Sequence, residues 1–530
     1  MKKTLALGAA VFTAFAAWGH VGAADEGAAD RCVQPHPLDP QALLRRLSLD
    51  LRGRIPAIEE YEALDKGTTI DAFVDKFLAS DEFRVQMRTY HDTLFWPNVT
   101  DARFVSGDLA LADRDKNGVL YTSLGRARRY RGGDDVTGCN PDREQTEFDS
   151  RYPGQFRPIN VPLVPDAEGN MVREEGYRLV HPYWDPASTV KVCAYDAQET
   201  LSAGGTQCSE RAATGQAACG CGPNLKWCFG PDTVRQITES LREELGRAID
   251  DVTVYGRPYT DLLLSRREHI DGRIAFWKKN LAQMTNLRLT ANTPEPSEPL
   301  PANPEWNAPW SVIDRGPLHA GLLTLPVYLL KFQTNRGRAN RFRIAFMNEH
   351  FVPPADPTPQ AGCSPDAADL TKRCVCQYCH AKLEPMASAF GRLSEAGSAP
   401  LAATVFPKTK PTCVGSRADE CTRYYVTRAD SPRAGWLTSY EFEADHAEYA
   451  DRIENGPTTL AKTIVENGTF ARASIQHLFV ELVKREIHAE GDGDERELLA
   501  TLQADFVQSG HAFTPLVKRI VSLPQYRSVR

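Results

Sequence analysis

TIDAFVDKFLASDEFRVQMRTYHDTLFW, residues 69–96, decides the fold class. Thr69 stands before Ile70, Phe73, Val74, Phe77 and Leu78, an i, i+3, i+4, i+7, i+8 apolar series that gathers on one face only at the helical period. Ser80 opens a second helix whose inward face is Phe83, Met87, Tyr90 and Leu94. His91 beside that stripe reads as a structural histidine rather than a ligand. Upstream, Asp39 before Pro40 is a helix start, because aspartate caps orphan amides and proline suits the first helical position. Leu43, Leu44, Leu47 and Leu51 follow on one stripe.

The same period returns downstream. Val234, Ile237, Leu241 and Leu245 share a face, in a helical run from Asp232 to about Met284. Residues 292–310, TPEPSEPLPANPEWNAPW and its flank, are too proline-rich to sustain a helix and read as a surface linker. A helical block follows from Leu318 to His350. Three more stripes close the sequence: Ile475, Leu478, Phe479 and Leu482; Leu498, Leu499, Leu502 and Phe506; Phe513, Leu516, Val517, Ile520 and Val521.

The expected fold is mainly α: a multi-domain helical protein with a c-type haem motif and irregular, disulfide-rich insertions. Its parts are a signal peptide at 1–24, an N-terminal helical domain at 36–100, a loop-rich cysteine-containing insert at 101–231, a central helical segment at 232–290, a haem-motif domain at 311–395, an irregular insert at 396–450 and a C-terminal helical domain at 455–530. At 530 residues, with 42% hydrophobic and 25% charged residues, the chain has ample material for several packed units. The net charge of −7 is interspersed, with no basic face for nucleic acid.

Lys2 and Lys3, the apolar run from Leu5 to Trp18 and the small residues Val21, Gly22 and Ala23 read as a secretory leader. The run is shorter than the roughly 20 residues a bilayer crossing needs, and no later one is longer. Cleavage removes both lysines and takes the charge to −9. The expected location is the periplasm or cell surface, where thiols pair or carry covalent haem. Thirteen cysteines leave one over, with or without two for a haem.

Six cysteines lie in the first insert. CGCGPNLKWC, residues 219–228, resembles half of a zinc ribbon but reads as disulfide chemistry in an exported chain. DRDKNGVLYTSL places Asp113, Asp115, Asn117 and Gly118 at calcium-loop spacing, yet Leu124 stands where a bidentate glutamate belongs, so the segment reads as a turn. Cys413 and Cys421 form a plausible local pair.

KRCVCQYCHAKLEPMASAF, residues 372–390, carries the functional question. Cys376, Gln377, Tyr378, Cys379 and His380 make C-x-x-C-H, the haem c attachment pattern. Two thiols three apart on a helical turn can each take a vinyl group, which aims the adjacent imidazole at the iron. A disulfide between Cys376 and Cys379, or zinc held by Cys363, Cys374, Cys376, Cys379 and His380, competes with that reading. Distal candidates are Met347, His350 and Met386, with His319 a further option. Met386 is on the wrong side for a continuous helix, Met347 also reads as core beside Phe346, and His350 as an exposed residue near a helix end.

Several segments together resemble a family: the large exported proteins whose domains of unknown function accompany planctomycete-type cytochromes c. LLRRLSLDLRGRIPAIEEYEAL (43–64) with IDAFVDKFLASDEFRVQMRTYHDTLFW (70–96) is similar to its N-terminal helical domain, and YGRPYTDLLLSRREHIDG (255–272) to its central motif. RGPLHAGLLTLPVYLLKFQTNRGRANRFR (315–343), FVPP (351–354) and CQYCHAKLEP (376–385) are similar to its cysteine-bearing domain. FARASIQHLFVELVKREI (470–487) and LVKRIVSLPQYR (516–527) resemble its closing domain. The segments keep the family's order and cover about half of the chain. The resemblance implies an exported protein with haem c on Cys376, Cys379 and His380. The family's aspartate and proline lead into leucine and glycine, whereas here Glu384 and Pro385 precede Met386 and Ala387.

Three functions are expected from this. The first is an exported c-type cytochrome-like protein that exchanges electrons with an unidentified redox protein of the cell envelope, more an electron-transfer haem protein than a stand-alone enzyme. The second is a haem-free, disulfide-stapled binding or scaffold protein. The third is a five-coordinate haem enzyme acting on peroxide. No nucleophile elbow, H-E-x-x-H, dinucleotide fingerprint or phosphate-binding loop points elsewhere.

Overall fold

The computed structural model of the chain describes residues 36–99, 110–114, 116–124, 127–129, 139–146, 163–165, 167–169, 171–194, 196–197, 220–282, 299–352, 361–367, 369–395, 397–441, 447–487 and 493–529. The leader expected at 1–24 lies outside the described residues, as do Cys32, Cys208 and Cys219.

About 51% of the chain is helical, so the protein is mainly α. Helices α1 (Pro40–Arg52), α2 (Ile58–Asp65), α3 (Ile70–Leu78) and α4 (Asp81–Phe95) form where the apolar stripes place them. Side chains fix three of the starts: Asp39, Thr69 and Ser80 accept hydrogen bonds from the backbone N–H groups of Ala42, Ala72 and Phe83. Those donors have no intrahelical partner. α1 stops at Gly53, whose φ of 68° suits a residue without Cβ.

α5 (Thr233–Thr253) lies against α4, where Arg88 reaches Glu243 and Asp250 at 2.6 Å each. Short helices α6 (Asp261–Leu264), α7 (Gly272–Phe276), α8 (Pro326–Lys331), α9 (Asn335–Phe342) and α10 (Gln377–Ala387) follow. Next come α11 (Asp419–Tyr424), α12 (Glu448–Asn455), α13 (Pro457–Glu466), α14 (Thr469–Val483), α15 (Gly493–Gln508), α16 (Phe513–Val521) and α17 (Pro524–Arg527).

One apolar core draws on both sequence extremes of the described chain. Leu44 and Leu47 of α1, Phe77 of α3, Ile237 of α5, Phe342 of α9, Ile475 of α14 and Val517 of α16 are all fully buried in it. Strand β1 (His36–Pro37) pairs antiparallel with the last strand, Ser528–Val529, and Arg46 Nη1 donates to the Tyr526 carbonyl at 2.7 Å.

Residues 101–231, read as loop-rich, contain a seven-stranded sheet in their described part. Its strands are β2 (Leu111–Arg114), β3 (Val119–Leu124), β4 (Ala127–Arg129), β5 (Cys139–Glu144), β6 (Leu163–Pro165), β7 (Met171–Val180) and β8 (Val190–Cys193). The order is β2-β3-β8-β7-β5, with β4 on β3 and β6 on β7. Most strands are too short to show alternation, and backbone pairing rather than a side-chain stripe defines them. Of the calcium-like spacing, Asp113 lies in β2, Asn117 and Gly118 in the turn to the antiparallel β3, where Gly118 has a φ of 80°, and Asp115 outside the described residues. Disulfides join Cys139 to Cys193, tying β5 to β8, and Cys221 to Cys228, in keeping with the disulfide chemistry expected of CGCGPNLKWC.

Two further differences have local causes. β9 (Arg267–Ile270) of the central segment pairs with β10 (Ser311–Asp314) at the start of the 311–395 segment, and the final strand is therefore β11 (Ser528–Val529). The inward face of β9 alternates Glu268 with Ile270, so hydropathy hides the strand. The proline-rich linker, described from residue 299 onward, also dips inward. Trp306 is buried against Tyr183 and Phe276, and its indole N–H donates to Gln236. Gly272 allows this approach, since a Cβ there would sit 2.1 Å from the Glu305 carbonyl oxygen. Residues 401–453 hold a small core of their own around Tyr425, Leu437 and Tyr440, closed by the expected Cys413–Cys421 disulfide.

Candidate functional site

The C-x-x-C-H residues occupy the N-terminal turn of α10. Cys376 is the residue before the helix, and its carbonyl accepts from the N–H groups of Cys379 and His380. Three-residue spacing on this turn sets the two thiols on neighbouring positions of one side. Both are half-exposed, and they are the unpaired cysteines among the described residues. Cys363 and Cys374, by contrast, are joined to each other, which takes two of the five candidate zinc ligands. Among the described residues no group of three or more His, Cys, Asp or Glu side chains is disposed to hold a metal ion.

The approach to α10 is tightly folded. Ser364 N–H donates to Lys372 O and Cys374 N–H to Ser364 O, so the disulfide closes a small loop ahead of the helix. Val375 then adopts φ 68°, a left-handed conformation in which a β-branched side chain is strained, and stays half-exposed. At the far end Pro385 lies inside the helix, which passes into a tighter turn at Ser388–Phe390.

His380 does not stand alone. Its Nδ1 lies 2.5 Å from Glu384 Oε1, one helical turn on, and Arg336 of α9 donates through Nε to the same oxygen at 2.7 Å. Since that oxygen is shared with a guanidinium donor, it acts as acceptor, and Nδ1–H of the imidazole donates to it. Nε2 is the ring nitrogen left to face a metal, which histidine binds as the neutral imidazole. Spacing alone could have found this pair, because i and i+4 meet on a helix face; Arg336 left no such signal. Glu384 is nearly buried, while Arg336 is half-exposed at the edge of a cleft of about 630 Å³ that Arg373, Ser388 and Tyr449 also line.

The donor set fits a covalent haem: two unpaired thiols at the required spacing, and beside them an imidazole whose outer nitrogen is anchored. Met347 ends a wide helical turn after α9 and, like Met386 on α10, is half-buried against the main core. His350 is exposed just beyond the left-handed Asn348.

His319 belongs to a different cluster, one the sequence did not reveal. Its Nδ1 meets the Thr324 hydroxyl and Arg315 Nη1, and burial, then the Arg315 charge, lowers its pKa to about 3. Glu268 of β9 is fully buried and takes Lys278 on one oxygen at 2.5 Å and Arg315 on the other at 2.9 Å. Burial favours protonation of Glu268, but the two cations outweigh it and hold the carboxyl below its ordinary range. Neighbouring Glu244 of α5 is pushed the other way, by burial and by the Glu268 charge. The cavity beside His319 and Arg315 is only about 40 Å³, room for water rather than a substrate. This is a structural charge cluster.

His91 is structural as expected. Met87 O and the Tyr259 hydroxyl occupy its two ring nitrogens, and burial lowers its pKa to about 4. No helix among the described residues is long and apolar enough to cross a membrane. Comparisons with protein-family profiles, curated proteins and solved structures found no match to the chain.

Proposed function

We propose that the protein is an exported, c-type cytochrome-like electron carrier, as its resemblance to proteins accompanying planctomycete-type cytochromes c implies. Cys376 and Cys379 would hold the porphyrin through thioether bonds, and His380 its iron through Nε2. The haem supplies one-electron exchange, with a one-electron redox protein of the cell envelope as donor or acceptor. The observation that carries this reading is the sorting of cysteines: four described pairs are joined, and the two unpaired thiols are those of the C-x-x-C-H turn.

The test is expression in a host with an active haem-attachment system, followed by mass spectrometry and a pyridine haemochrome spectrum. One added porphyrin, lost in Cys376→Ser and Cys379→Ser, is the expected result. A colourless chain of unmodified mass would leave the haem-free, disulfide-stapled scaffold. Packing of Met347 and Met386 against the core supports a second reading, an iron open on its distal side and reactive toward peroxide. Rapid cyanide binding by the loaded protein favours that reading; slow or absent binding favours the simple carrier.

A further inference from the structure

We propose that Glu384, moderated by Arg336, is a positioning residue that sets how strongly His380 donates to a bound iron. This rests on reading Cys376, Cys379 and His380 as a haem c site. The His380 Nδ1–H is held by a carboxylate oxygen 2.5 Å away, not by a backbone carbonyl. A neutral carbonyl orients the ring, whereas a carboxylate also draws the hydrogen toward itself and makes the opposite nitrogen a better donor. Glu384 has a side-chain exposure of 10%, so water screens its charge poorly. Arg336 meets the same oxygen at 2.7 Å and competes for its electron density. Because Arg336 sits on α9 and both other groups on α10, the packing of these two helices sets the strength of the imidazole.

Two substitutions separate this role from simple support of the fold. Glu384→Gln keeps size and an acceptor but removes the charge; Arg336→Ala removes the competing cation from a half-exposed position. A stronger donor stabilises the ferric form, so the two variants shift the reduction equilibrium in opposite directions. The full-length haem-loaded protein is measured by redox titration and by vibrational spectroscopy of its carbon monoxide adduct, whose Fe–C stretch weakens as the opposite ligand donates more. Glu384→Gln is expected to favour the ferrous form tenfold or more, about 59 mV upward per factor of ten, with a higher Fe–C frequency. Arg336→Ala is expected to lower both. A loaded Glu384→Gln with unchanged Fe–C frequency overturns the inference and leaves the haem reading standing; a wild-type chain without porphyrin overturns both. Should Glu384→Gln fail to accumulate, Arg336→Ala decides, and an unmoved frequency there overturns the inference.

Discussion

Val375 carries the least comfortable backbone near the candidate site. A β-branched residue at φ 68° costs about 1–2 kcal/mol, while glycine adopts that region freely but loses more chain entropy. With half of the side chain in solvent, little packing is at stake. Val375→Gly in the unloaded chain is therefore expected to gain on the order of 0.5–1 kcal/mol in denaturant titrations; a loss of stability would mean that the valine makes contacts that outweigh its strain. The sequence could not show this, because φ at one residue depends on the Cys363–Cys374 loop that feeds into it. It did show His91 correctly, since a histidine flanking an apolar stripe tends to be absorbed by the core. The partner hydroxyl, Tyr259, lies 168 positions away and left no local trace.

At the scale of elements, amphipathic helices were legible and charged strands were not. α1, α3 and α4 begin at the polar residues that precede their stripes, because capping and periodicity are both local. β9 went unseen because its inward position is Glu268, whose burial makes sense only once Lys278 and Arg315 are brought in from outside the strand. That cluster makes a contrast between two glutamates. Glu268→Gln leaves two buried cations without their anion and is expected to cost about 3–5 kcal/mol. Glu244→Gln replaces a carboxyl whose pKa burial and the Glu268 charge push up, and is expected to stay within about 1 kcal/mol of wild type. Equal losses in urea titrations would contradict the assignment of charge to Glu268. In the sheet-bearing insert, replacing both Cys221 and Cys228 by alanine opens a short buried loop and is expected to cost about 2 kcal/mol, read as a lower unfolding midpoint without reductant. Reductant should shrink the difference.

Across the whole molecule, the buried His91 and His319 and the part-buried His477 share one pH dependence. Burial first, with the Arg315 charge added at His319 and no carboxylate in compensating contact at His91 or His477, lowers their pKa values to about 4 for His91 and His477 and about 3 for His319. A histidine with a depressed folded pKa leaves the extra proton on the unfolded chain. Stability is then intact above about pH 6.5 and declines as pH falls toward 4, with a slope approaching roughly 1.4 kcal/mol per pH unit for each group. Urea midpoints at pH 7.5, 6 and 5 test this, and a flat profile would mean that these rings are solvated. The range from pH 6.5 to 5 is the informative one, because carboxylates add their own losses below it.

Helices read as separate N-terminal and C-terminal groups meet in one core, where Tyr259 stacks on both Phe470 and Phe513 and touches His91. Sequence periodicity says which face is buried but not what covers it. The pairing of β1 with β11 has a consequence for a severed chain. A protease site engineered into the connection between β2 and β3 would yield two fragments still packed together through the one apolar core to which both contribute. They should elute together as a single native-sized particle and part only when denatured.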